Sequence, residues 1–281
     1  MLAIKTQQNA REIVYRTFGQ ARGAITRLMS PSDLGEVLKP FVFLDLAVFG
    51  AGDVPMPIEV GWHPHSGIAT VTVMLDGAIR YAETTGKSGT LSAGGVEFMR
   101  AGNGVWHTGT HVPDSATAFQ LWIALPPELE LGPTISLYQS PDEVPSDGPA
   151  RVLLGSYGSA SSVIEAPSPI NYLAVRLKAG ERWLYEPPAG HTVLWAAISS
   201  GAVSVPDELR QGDLAAFEAS NEAVEFEALS ETEFVLGSAV PHDHKLVLGN
   251  YSVHTSPNAL RLAEDHISTL GRKRDHGSNT T

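Results

Sequence analysis

Residues 61–81 read GWHPHSGIATVTVMLDGAIRY. From residue 67 onward the stretch is dense in β-branched residues and breaks at Asp76-Gly77, which predicts two strands joined as a hairpin. Ahead of it stand His63 and His65, at i and i+2. On a strand those positions share one face, so both imidazoles can reach a single ion. Pro64 between them removes a ladder donor and places the pair at a strand end or barrel mouth. Further on, residues 96–99 form a strand that leads into the tight turn Gly102-Asn103-Gly104, with His107 just beyond. Residues 117–125, TAFQLWIAL, are a buried strand stopped by Pro126-Pro127.

The second half echoes this order. Ser200-Gly201-Ala202-Val203 repeats Asp76-Gly77-Ala78-Ile79, and Gly212 to Phe217 repeats Gly94 to Met99. Glu233 to Leu236 stands where Phe119 to Trp122 stood. Three echoes in one order predict a duplicated β unit and two similar barrels. One helix is expected, at the end: Ser256 caps it, Pro257 suits its first turn, and Leu260, Ala263, Ile267 and Leu270 share a face before Gly271 stops it. Beyond Gly271 a polar, disordered tail is expected.

Composition narrows the chemistry. The chain has 281 residues and a formal net charge of −12, so direct nucleic-acid binding is not expected. No apolar run is long enough for a membrane span, and the first twenty residues lack the apolar core of a leader, so the cytoplasm is the expected location. There is no cysteine, which leaves only histidine and carboxylates to hold a metal. A second His-x-His, His242-Asp243-His244, reads as loop; His244, His242 and His254 are expected to be exposed. His191 lies near the place where the second barrel's histidine pair would fall, but no later histidine joins it.

A His-x-His strand followed by a histidine past a glycine turn is the order in which cupin barrels gather ligands. The stretches FVFLDLAVFG (41–50), GWHPHSGIATVTVMLDGAIRY (61–81) and GGVEFMRAGNGVWHTG (94–109) strongly resemble the pirin family pattern. The resemblance continues through residues 120–126 and 251–255. It implies an all-β fold of two tandem cupin (jelly-roll) barrels with a C-terminal helix, residues 1–135 with a metal and residues 136–281 without one. It implies one transition-metal ion, Fe(II) first among the choices, held by His63, His65 and His107. Trp62 and Trp106 flank these histidines in sequence, which makes them the candidates to line the pocket. Family members add a glutamate two residues past the last histidine and another four past the pair. Those positions are Gly109 and Ala69 here, so both carboxylates are missing. His111 and Glu97 are the nearby residues that could compensate; the family gives Glu97 no ligand role.

Three functions stay open on this reading. One is a dioxygenase (an oxidoreductase) acting on a small aromatic, flavonol-like substrate. Another is a regulatory protein that binds a protein partner, and the third is a vestigial cupin without metal.

Overall fold

The structure, a computed structural model, describes residues 11–50, 59–112 and 115–277. The two expected strands form as Ile68–Asp76 and Ala78–Glu83 with a turn at Gly77, but not as a hairpin. The first pairs with Val96–Arg100 and Ala116–Ala124, while the second crosses to another sheet and pairs with Val105–His111 and Ser88–Ser92. Gly77 has φ +70°, and a Cβ there would lie 2.2 Å from the Ser115 carbonyl oxygen, so only glycine fits. The second half turns likewise at Gly201, with φ +77° and the Glu231 carbonyl oxygen 2.2 Å from the same imagined Cβ.

The two halves repeat each other strand for strand. The first seven-stranded sheet runs Ile135–Gln139, Val96–Arg100, Ile68–Asp76, Ala116–Ala124, Phe41–Phe49, Ile25–Met29, Gln20–Arg22. The second runs Ile13–Thr17, Leu214–Phe217, Val193–Ser200, Thr232–Ala239, Ile170–Leu177, Ala150–Leu154, Ser146–Asp147. Each half adds a four-stranded sheet: Glu59–His65, Val105–His111, Ala78–Glu83 and Ser88–Ser92, then Arg182–Tyr185, Val224–Ala228, Ala202–Val205 and Asp207–Arg210. Two jelly-roll barrels result.

Strand alternation sorts the side chains. Ala69, Val71 and Val73 enter a core shared by the two large sheets, where Phe119 and Leu121 meet Tyr172, Trp195 and Val235. Phe41 meets Trp195 edge-on at 5.4 Å. The opposite faces look into the barrels. Inside the second barrel the space is packed with Trp183, Tyr185, Ile198, Phe226 and Phe234. The first barrel keeps a cavity of about 740 Å³.

Two segments cross between the halves. Near the N-terminus, Ile13–Thr17 pairs with Leu214–Phe217, and Arg16 binds Asp213 at 2.8 Å. Near the C-terminus, the helix lies on the first barrel, where the Trp106 indole donates to the Ile267 carbonyl at 2.9 Å. Ser256 caps this helix as expected, accepting from the Ala259 N–H. The stop at Gly271 does not occur: the helix runs Pro257–Gly277. Gly271 sits against the Trp106 ring, where a Cβ would stand 3.0 Å from the indole, so close packing rather than helix termination accounts for it. Part of the expected disordered tail is thus helical, and residues 278–281 lie outside the described residues. No described helix is long and apolar enough to cross a membrane.

Candidate metal centre and cavity

Strand Glu59–His65 pairs with Val105–His111 so that His63 stands opposite His107 and His65 opposite Val105. This register brings the three histidines together, with ligand nitrogens all within 4.8 Å of one another. His63 donates its Nδ1 proton to the Gly61 carbonyl at 2.8 Å, and His65 donates Nδ1–H to the Tyr251 carbonyl at 2.9 Å. Each bond fixes a tautomer and leaves an Nε2 lone pair for a cation. The Nε2 atoms of His63 and His107 are 2.9 Å apart. Two nitrogens bound cis to one ion at about 2.1 Å would be about 3 Å apart, so this spacing fits a shared metal.

Burial lowers the pKa of all three imidazoles: His65 falls to about 3, His107 well below the usual histidine range, and His63 less far. They stay neutral at ordinary pH, which removes proton competition for a metal. In the second barrel the corresponding pair is Trp183 and Tyr185, and Phe226 faces Trp183 as His107 faces His63. His191 is elsewhere, buried and within 2.9 Å of the Ser238 hydroxyl.

The two positions without carboxylates differ. Ala69 faces the core between the sheets, so a side chain there points away from the histidines. Gly109 lines the cavity, and a Cβ there would meet Ile79 Cδ1 at 2.8 Å. Ile79 occupies the space a larger residue would need. Gly109→Glu should therefore cost about 1–3 kcal/mol through overpacking. Adding Ile79→Ala should recover part of that loss, so thermal denaturation should find the double variant more stable than the two single effects summed. Strict additivity would show that Ile79 does not block the site.

Trp62 reaches the cavity rim, half-exposed, while Trp106 turns outward onto the helix. Arg274 lies over both rings, 4.4 Å from Trp106 and 5.4 Å from Trp62. The side chain of His111 lies outside the described residues. Glu97 is buried in the cavity wall and accepts from the Thr72 hydroxyl. The remaining wall is largely apolar, with Phe43 and Trp122 stacked at 4.0 Å.

Sequence reasoning missed the segment beneath His65. His254 and His242, expected to be exposed, are buried; His244 is exposed. His254 donates Nδ1–H to Glu130 at 3.0 Å, and its Nε2 lies 2.9 Å from the Ser66 hydroxyl. Glu130 also accepts the Thr255 N–H and hydroxyl, each at 2.7 Å. This network holds the segment whose Tyr251 carbonyl orients His65. Tyr251, with φ +66°, is the one non-glycine residue of positive φ among those described. Motif spacing carries no signal for these contacts, because the partners lie 124 to 188 residues apart.

A duplicated barrel fold with three convergent histidines in one cavity defines a bicupin with a candidate metal centre. Residues 22–123 match the Pirin family profile. A pirin-like protein of Caulobacter vibrioides is 30% identical over 190 residues, covering 64% of this chain and 68% of that one. The chain belongs to the pirin family. A Pseudomonas aeruginosa protein provisionally named a quercetin 2,3-dioxygenase is 29% identical, covering 79% of this chain and 82% of that one. The crystal structure of quercetin 2,3-dioxygenase from Acinetobacter baumannii shares the fold, with TM-score 0.81 at 24% identity over 92% of this chain and 95% of that one.

Proposed function

We propose that this pirin is a metal-dependent dioxygenase acting on a small aromatic, flavonol-like molecule in the first barrel. The observation that carries the reading is the meeting of His63, His65 and His107 on the wall of a cavity lined by Phe43 and Trp122. A transition-metal ion held by the three histidines, Fe(II) foremost, would supply the redox chemistry between dioxygen and the aromatic ring. The protein's own part is to position and to shield. Gly61 and the Tyr251 carbonyl fix the ligand tautomers, the Phe43–Trp122 stack offers a flat apolar surface, and the barrel wall excludes water. The relative provisionally named a quercetin dioxygenase supports the substrate class.

Metal content of the purified protein, by plasma mass spectrometry, tests the centre first. Near one equivalent of iron or another transition metal is expected, falling to under about a tenth in His107→Ala, since losing one of three ligands removes most of the affinity. Oxygen uptake with a flavonol should follow the metal content. A protein that takes up no metal after anaerobic reconstitution would end this proposal.

A further inference from the structure

Six adjacent strands of the first seven-stranded sheet each contribute one polar residue at a single level of the barrel. By register Tyr138 lies beside Glu97, Glu97 beside Thr72, Thr72 beside Gln120, Gln120 beside Asp45, and Asp45 beside Arg27. All six line the cavity. Two residues along each strand in one direction, the level is Met74, Ala118, Ala47 and Ile25; in the other it holds Thr70, Trp122 and Phe43, of which Trp122 and Phe43 line the cavity. A polar belt thus crosses the wall, distinct from the histidine cluster and bordered by Met74, Ala118, Phe43 and Trp122.

Most of the belt is already committed. Arg27 is paired with Asp45 and lies 3.9 Å over the Phe43 ring, and the Tyr138 hydroxyl donates to Glu83 at 2.8 Å. Thr72 Oγ1 is within reach of both the Glu97 carboxyl and Gln120 Oε1, the latter at 2.8 Å, and its single proton serves one at a time. The Gln120 amide nitrogen is buried with no partner among the described residues. An orphaned amide donor beside a buried carboxyl calls for a group that both accepts and donates. Anionic groups are disfavoured here, because Glu97 and Asp45 lie on this wall with Glu83 behind them, and Arg27 is already neutralised.

We propose that Glu97 and Gln120 form a subsite that reads a hydroxyl group on an uncharged aromatic ligand: the Gln120 amide donates to the hydroxyl oxygen, and the hydroxyl donates to the Glu97 carboxyl. This rests on the aromatic-ligand reading above and adds the residues that select among such ligands. The Thr72 hydroxyl turns to whichever neighbour the ligand leaves unserved.

Fluorescence titration of the metal-loaded protein with quercetin and with 3-hydroxyflavone tests the subsite. The two share the hydroxy-ketone unit and differ in their additional ring hydroxyls. The wild type should bind quercetin about tenfold more tightly, or better, because a site built to hydrogen-bond a hydroxyl rejects the analogue that lacks it. Gln120→Leu and Glu97→Leu should each bring the two affinities to within about twofold, with metal content and 3-hydroxyflavone binding retained. Equal binding of both by the wild type, or a preference that survives both substitutions, overturns the subsite and leaves the aromatic cavity standing. Binding of neither flavonol by the metal-loaded wild type overturns both.

Discussion

Replacing Glu130 with alanine should cost about 3–5 kcal/mol of folding stability, because it strands three donors at once, one of them on the buried His254 and two on the partly buried Thr255. The carboxylate accepts from the His254 imidazole, the Thr255 N–H and the Thr255 hydroxyl, and both Glu130 and His254 are almost wholly buried. Burial lowers the His254 pKa although Glu130 acts to raise it, so the imidazole is neutral and depends on the carboxylate for its Nδ1 proton. Glu130→Gln, which keeps one acceptor oxygen, should cost less. Urea denaturation of both variants measures the difference, and a loss below about 1 kcal/mol for the alanine variant would show that the network does not hold this segment. The same substitution should also weaken metal retention, since the Tyr251 carbonyl that orients His65 rides on the segment released.

Glu97→Gln should stabilise the protein at pH 8 and do little at pH 5. Burial raises the Glu97 carboxyl to about 7, the Thr72 hydrogen bond opposes this, and the charge of Glu83 adds to it. The unfolded chain releases this proton near the ordinary glutamate value of about 4.5. The folded protein therefore binds the proton more tightly, and stability falls as pH rises from about 4.5 through about 7, by about 3 kcal/mol in all. An amide cannot ionise, so it is spared that loss. The variant should gain up to about 3 kcal/mol over wild type at pH 8 and be within about 1 kcal/mol of it at pH 5. A difference between variant and wild type that is the same at both pH values would show that Glu97 keeps an ordinary carboxyl.

The strands and the turns between them were legible because β-branched runs and Asp-Gly or Ser-Gly turns are local signals, and Gly77 and Gly201 turn out to sit against equivalent carbonyls. That the chain changes sheet at each of these turns, where a hairpin was expected, is decided by pairing with strands distant in sequence. The i, i+2 spacing of His63 and His65 set them on one face, and the glycine turn before His107 carried the third imidazole to them. The polar belt left a fainter trace. Thr72, Gln120 and Asp45 each interrupt an apolar strand, but only the register shows that they fall in one row. What spacing could not convey was exchange between the halves. Nothing local in residues 13–17 says that they close the far sheet, and Gly271 looked like a helix stop because its true constraint, the Trp106 ring, lies distant in sequence.

The bond from His65 to the Tyr251 carbonyl spans 186 residues, and this sets an order on the making of the protein. All three histidines leave the ribosome well before the carbonyl that orients one of them. At about 5–20 residues per second the interval is roughly 10–40 s. During that time the nascent chain holds His65 without its native tautomer lock. The strand at Ile13–Thr17 likewise waits for its partner at Leu214–Phe217. A metal captured in that interval would meet a centre in which His65 still lacks the carbonyl that orients it.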